Sequence, residues 1–189
     1  DNCTVASVTN DAPATFPLGD TTVTWTVTDG SGNTATCTQI VTITDNIDPT
    51  FVSCAAPVSV NVDTAGCTTD LANITLGTPT VDDNCTTTTI TNDAPSVFPL
   101  GDTTVTWTVT DGSGNTATCT QIVTITDNID PTFVSCAAPV SVNVDASGCT
   151  TDLANITLGT PTVDDNCTVA SVTNDAPATF PLGDTTVTW

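Results

Sequence analysis

A chain of 189 residues that holds 21 aspartates and no glutamate, lysine, arginine or histidine carries a formal charge of −21, with nothing inside it to neutralise that charge. Nucleic acid is excluded as a partner, because phosphate contacts demand Lys and Arg, and so is attraction to an anionic membrane surface. With no His or Lys to activate a Ser or Cys nucleophile and no cationic clamp for phosphate, the chain reads as no enzyme, and its natural counter-ions are cations.

The apolar fraction of 38% and the mean hydropathy of +0.16 are too high for a disordered chain. Thr is the dominant residue, Val and Ile are plentiful and strong helix formers are scarce, so the expected class is all-β. Nine cysteines without any His, none in a C-x-x-C pair, read as disulfides rather than zinc ligands. Disulfides imply an oxidising compartment, hence an extracellular or cell-surface location. No run is long and apolar enough for membrane insertion. The start at Asp1, without an initiator Met, reads as a fragment or a processed product.

Along the chain, Asp-Asn-Cys-Thr at residues 1–4 returns at 83–86 and at 165–168, a period of 82 residues. Cys37 returns as Cys119, Cys54 as Cys136 and Cys67 as Cys149, four cysteines to a period. The period is too long for a solenoid coil and suits a small sandwich domain. Asp-Asn-Ile-Asp-Pro-Thr-Phe at 45–51 and 127–133 marks the boundaries, since Pro stops strand pairing. Residues 47–128 are therefore read as one complete repeat, 1–46 as the C-terminal part of another, and 129–189 as the N-terminal part of a third.

Within 47–128, Val58, Val60 and Val62 alternate as a strand, Leu71–Leu76 is read as a second and Thr86–Thr91 as a third. Thr103–Thr110 alternates strictly and places Val105, Trp107 and Val109 on one face, the pattern of a half-buried antiparallel strand. Asp111-Gly-Ser-Gly-Asn115 turns the chain and Thr116–Thr126 returns as the other half of a hairpin. Gln121 falls on the inward parity beside outward Ile122, which suggests a bulge.

Asp48-Pro-Thr-Phe-Val-Ser-Cys54, Asp82-Asp-Asn-Cys85, Phe98-Pro-Leu-Gly101, Thr104-Val-Thr-Trp-Thr-Val-Thr-Asp111 and Gly112-Ser-Gly-Asn-Thr-Ala-Thr-Cys119 together resemble the hyalin repeat (HYR) modules found in tandem on secreted and cell-surface proteins. The resemblance implies tandem immunoglobulin-like β-sandwiches and a role in adhesion or extracellular assembly. In that topology the loop with Asp82 and Asp83 and the turn at Asp111 lie at the end of the domain that meets the preceding linker, which holds Asp45, Asn46 and Asp48. Asp127, Asn128, Asp130, Asp164 and Asp165 occupy the corresponding places at the next junction. The linker is also similar to the Asp-Asn and Pro-x-Phe junction of cadherins. Several carboxylates at one place suit calcium, a hard cation that takes oxygen ligands. The competing reading is that Asp and Asn cap the backbone of their own turns. Asp82 with Asp83, or Asp164 with Asp165, could be imagined as a glycosidase pair, but successive strand residues point apart.

Four cysteines allow three pairings. Neighbouring first and last strands would set Cys54 level with Cys119, the pair that some members of the resembled family keep alone. Cys67 and Cys85 then fall at opposite ends of the domain, separated by about 30 Å for a ten-residue strand. Either that strand is shorter, or Cys67 bonds across the junction to Cys167, which is the preferred reading. Asn2, Asn73, Asn84, Asn155 and Asn166 stand in Asn-x-Thr sequons, and Asp20-Thr-Thr, Asp63-Thr-Ala and Asp102-Thr-Thr resemble short bacterial O-glycosylation motifs at Thr21, Thr64 and Thr103. The expected function is structural: a fibre or cell-surface stalk, rod-like because its linkers are short and acidic, stiffened by calcium, with further copies of itself as partners and glycans as possible ones. The open halves at 1–46 and 129–189 are read as a window on one continuous array rather than as subunits completing each other. An adhesin or glycan-binding module is the alternative.

Overall fold

The computed structural model describes residues 4–63, 66–85, 87–146 and 148–189. These residues are all-β apart from two short 3-10 turns, and none of their helices is long and apolar enough to cross a membrane. In chain order the strands are β1 (Val5–Asn10), β2 (Gly19–Asp29) and β3 (Thr34–Ile43) before the first linker. Residues 47–128 follow with β4 (Thr50–Ser53), β5 (Val58–Asn61), β6 (Thr68–Asp70), β7 (Thr80–Asp82), β8 (Thr87–Asn92), β9 (Val97–Pro99), β10 (Gly101–Asp111) and β11 (Thr116–Thr126). The last segment holds β12 (Thr132–Ser135), β13 (Thr150–Asp152), β14 (Thr162–Asp164) and β15 (Thr179–Pro181). The chain divides into two compact units, Asp1–Ala55 with Thr78–Asp93 and Thr106–Thr120, and Ala56–Gly77 with Ala94–Val105 and Gln121–Trp189. The long strands β10 and β11 contribute residues to both.

In the first unit β1, β2 and β3 form an antiparallel sheet whose β2–β3 ladder runs without a shift from Gly19 opposite Ile43 to Thr28 opposite Thr34. β4 pairs with β7, and β8 lies antiparallel to the end of β10, with Trp107 opposite Asn92. Alternation drives Trp107 and Val109 inward. The same inward parity ends on a carboxylate, Asp111, which is only 4% exposed. The Asp111–Asn115 turn needs a left-handed residue, and Gly114 supplies it at φ 93°.

In the second unit β5 runs parallel to β11, with Val58 opposite Val123, while β6 pairs with β9 and the copies β13 and β15 pair in the same way. Val105, Val123, Ile125 and Phe98 are fully buried there and Val62 and Ile74 nearly so. Burial of such side chains is worth about 1.5–3 kcal/mol each, the main force holding the layers together. In residues 129–189 the copies of Val62, Ile74, Phe98 and Val105, which are Val144, Ile156, Phe180 and Val187, line a cavity of about 570 Å³.

Two sequence expectations are corrected. Leu71–Leu76 is not a strand: Leu71–Asn73 forms a 3-10 turn, in which Ile74 N–H donates to Leu71 O at 3.0 Å and Leu71 N–H to Ser96 O at 2.9 Å. The turn swings Ile74 into the core, so its apolar residues are spaced for a turn rather than for alternation. Gln121 does not mark a bulge. It keeps the inward parity at 1% exposure, and its amide donates to Ala56 O at 2.6 Å, which satisfies a polar group on a core position. The copy Gln39 pairs with Val23 in an unshifted ladder.

Candidate metal centre

Three segments of the first unit meet at one place. Asp45 lies in the linker after β3, Asp83 follows β7 directly, and Asp111 closes β10. One carboxylate oxygen from each lies within 4.8 Å of the other two. Two oxygens that share a calcium ion at 2.3–2.6 Å stand up to about 5 Å apart, so this spacing fits a common hard cation.

Each carboxylate is first oriented by its own backbone. Asp111 Oδ1 accepts from Ser113 N at 2.9 Å and Asn115 N at 2.8 Å, and its Oδ2 accepts from Asn115 Nδ2 at 2.8 Å. The Asn115 amide also donates to Asp45 O at 3.3 Å, which ties the linker to the turn. Asp45 Oδ1 accepts from Ile47 N at 3.2 Å and Asn84 Nδ2 at 3.3 Å, and Asp83 Oδ2 accepts from Cys85 N at 3.0 Å. Two oxygens remain: Asp45 Oδ2 and Asp83 Oδ1 are buried and accept no hydrogen bond. A buried carboxylate oxygen left alone is costly, and the chain has no cationic side chain to offer it.

The electrostatics match this geometry. Burial pushes the Asp111 pKa up and is the largest single effect, yet the hydrogen bonds from the Asn115 side chain and from the Asn115, Ser113 and Gly114 backbone outweigh it and hold the group below its ordinary value. Asp45 is held down first by the Ile47 N–H, then by the Cys85 thiol and the Asn84 amide, against burial and the charge of Asp111. The Cys85 thiol is pushed up, first by its hydrogen bond to Asp45, then by burial and the three nearby carboxylates. Asp45 and Asp111 are therefore ionised at neutral pH.

Of the residues singled out in the sequence at this junction, Asp48 and Asp82 lie outside the group and are exposed, as is Asn46. Asn84, Asn115 and Cys85 were missed as neighbours of the centre; only Asn115 left a signal, four residues after Asp111 in a Gly-rich turn. At the next junction Asp127, Asp130, Asp164 and Asp165 form no such group among the described residues, and Asn128 is exposed. The position 82 residues beyond Asp111 lies past residue 189. Asp165 Oδ1 and Asn166 Oδ1 are buried without a hydrogen-bond partner.

Disulfides join Cys54 to Cys119 and Cys67 to Cys167, with Cα–Cα distances of 6.1 and 4.9 Å. The second links residues 47–128 to residues 129–189, and beside it Asn166 Nδ2 donates to Gly66 O at 3.3 Å. Of the sequons, Asn73, Asn84 and Asn155 are exposed, and the side-chain amides donate from Asn73 to Asp63, from Asn155 to Asp145, from Asn84 to Asp45 and from Asn166 to Gly66. Thr21 and Thr103 are half-buried, and Asn2 and Thr64 lie outside the described residues.

The family model of the HYR domain matches residues 1–43 and 44–125. The chain belongs to the HYR domain family. Its second match begins at residue 44, so it takes in Asp45, Asp83 and Asp111 together. Relatives include hyalin of Lytechinus variegatus, 32% identical over 191 residues that cover 98% of this chain and 35% of the relative. Hyalin of Strongylocentrotus purpuratus is 34% identical over 197 residues, covering 97% of this chain and 16% of the relative. The mouse sushi, von Willebrand factor type A, EGF and pentraxin domain-containing protein 1 is 34% identical over 110 residues, 57% of this chain and 3% of that protein. The chain thus spans about a third or less of the length of these relatives, and it is a tandem repeat module of the HYR family.

Proposed function

We propose that this HYR chain is a structural or adhesive segment of an extracellular fibre or cell-surface stalk, and that calcium held by Asp45, Asp83 and Asp111 stiffens the join between the linker and the repeat that follows it. The observation that carries the reading is the pair of buried carboxylate oxygens, Asp45 Oδ2 and Asp83 Oδ1, that accept no hydrogen bond in a chain devoid of cations. A hard dication would be held by one oxygen from each of the three carboxylates and by water, the ligand set that calcium accepts. Its charge would offset most of the mutual repulsion of the three groups. The linker would then be pinned to the loop at Asp83 and the turn at Asp111 instead of swinging about them. The hyalin relatives and the paired cysteines support an extracellular setting.

The test is small-angle scattering of the chain with calcium and with a chelator. The expected result is an extended particle whose longest dimension contracts and whose flexibility rises on chelation. A compact particle, or profiles that superimpose in the two conditions, would overturn the reading.

A further inference from the structure

Among the described residues Cys37, Cys85, Cys136 and Cys149 are unpaired and exposed. The 82-residue period relates each of them to a cysteine that is bonded: Cys37 to Cys119, Cys136 to Cys54, Cys85 to Cys167 and Cys149 to Cys67. The first two are halves of the bond within a repeat. The other two are copies of the bond that crosses from one repeat to the next.

Local structure at the unpaired sites reproduces that at the bonded one. Cys167 N donates to Asp165 Oδ2 at 3.1 Å and Cys85 N to Asp83 Oδ2 at 3.0 Å, so the same turn presents both sulfurs. The neighbouring amide faces the sulfur in each case, Asn166 Nδ2 at 3.5 Å from Cys167 Sγ and Asn84 Nδ2 at 3.2 Å from Cys85 Sγ. The hairpin that carries Cys67 is closed by Asp63 N to Thr68 O at 3.3 Å and Gly66 N to Asp63 O at 3.2 Å. That of Cys149 is closed by Asp145 N to Thr150 O at 3.0 Å and Gly148 N to Asp145 O at 3.2 Å. Two half-sites with the geometry of a formed bond stand open.

We propose that Cys85 and Cys149 are inter-repeat cross-link sites, Cys149 taking the Cys85-type sulfur of a further copy of this repeat and Cys85 the Cys67-type sulfur of another, so that successive repeats are joined by a disulfide as well as by the main chain. The step is an oxidation: two thiols form one S–S bond and give up two protons and two electrons to a disulfide-bearing oxidant, which is reduced to its dithiol. The sequence separation of 100 residues across the observed bond exceeds the 82-residue period, and this is what makes the cross-links overlap. The Cys149 bond begins before the Cys167 bond ends. A cut in any one linker therefore leaves the array connected, which a bond confined within a repeat, such as Cys54–Cys119, cannot achieve. This is independent of whether calcium binds.

The test uses the intact protein isolated without reductant, its thiols blocked, and exploits the acid-labile Asp-Pro bonds at 48–49 and 130–131 in the linkers. Mild acid is expected to leave the array at its original size on denaturing gels until a reductant is added, whereupon it falls into repeat-sized pieces. Mass spectrometry after Asp-directed digestion is expected to find the Asp145-Ala-Ser-Gly-Cys149 peptide joined to an Asn-Cys-Thr peptide of another copy; the Thr87 that follows Cys85 and Thr86 distinguishes that site from Cys167, where Val169 stands. Reduction without acid then tells the source of the partner: a chain of unchanged size where the copies follow in sequence, separate smaller chains where they do not. Recovery of Cys85 or Cys149 as blocked thiols, a bond from Cys85 to Cys67, or separation of the acid-cut pieces before reduction would overturn the proposal.

Discussion

Replacing Asp45 by Asn separates calcium binding from turn capping, because only the first makes the size of the loss depend on calcium. In calcium at about a hundred times its dissociation constant, binding to the folded state alone stabilises by about 2.7 kcal/mol. For a repeat of 82 residues, where each kcal/mol moves Tm by about 4–8 °C, the ion should raise Tm by about 10–20 °C. Asp45→Asn keeps the oxygen that accepts from Ile47 and Asn84 but removes one of three charged ligands. Loss of metal-site support costs about 10–100-fold in affinity even for outer partners, so a loss of about 100-fold is a modest expectation for a direct ligand. At the same calcium concentration the remaining stabilisation is about 0.4 kcal/mol, or about 2–3 °C. In chelator the difference shrinks: the lowered pKa of Asp45 means that its ionised form is favoured in the fold even beside Asp111, so the variant should melt only slightly below the native chain. Thermal unfolding followed by circular dichroism across a calcium titration reads both limbs. A native Tm indifferent to calcium, or a variant destabilised equally with and without it, would refute the reasoning.

Other outcomes follow from the same structure. Replacing both Cys54 and Cys119 by Ala should cost about 4 kcal/mol in the chain-entropy model for a separation of 65 residues, read from urea midpoints of the otherwise oxidised chain. Phe98→Ala empties a fully buried position and should cost about 3–5 kcal/mol, against a much smaller loss for Phe98→Leu. Because Asp45 and Asp111 have folded pKa values below their ordinary 3.8, their contribution is complete above that value and is lost as pH falls through the lowered folded values. Calcium-free stability should accordingly drop on the acid side of pH 4, and Asp111→Asn should flatten that drop in denaturant titrations at a series of pH values.

What was legible in the sequence is what repeats or alternates. The strict alternation of residues 103–110 marks the inward face of β10, and the period of 82 residues locates the repeats and their matching cysteines. Local patterns failed where a short turn imitates a strand, as at Leu71–Asn73, and where a polar residue holds a core position because a distant carbonyl receives it, as Gln121 does for Ala56. The carboxylate centre was half legible. Asp45, Asp83 and Asp111 were among the candidates, but nothing in the sequence separates Asp83 from Asp82. The choice depends on β7 ending at Asp82, so that the next residue turns with Cys85 rather than continuing the ladder. Likewise the role of Asn84 rests on a contact with Asp45 that is 39 residues distant in sequence.

The internal copies also decide how much of the centre turn chemistry can explain. Asp29 and Asp111 occupy equivalent turns and accept the same three hydrogen bonds, Asp29 from Ser31 N, Asn33 N and Asn33 Nδ2, each at 2.8 Å. Both have lowered pKa values. Capping therefore accounts fully for what the two share, and it needs no ion. What differs is burial: Asp29 is half-buried, whereas Asp111 is 4% exposed with Asp45 and Asp83 gathered around it. A turn that merely capped itself would gain nothing from drawing in two further carboxylates, since each adds repulsion and a desolvation cost. The calcium proposed above would offset this repulsion with a charge that the chain, which has no cationic side chain, does not carry itself.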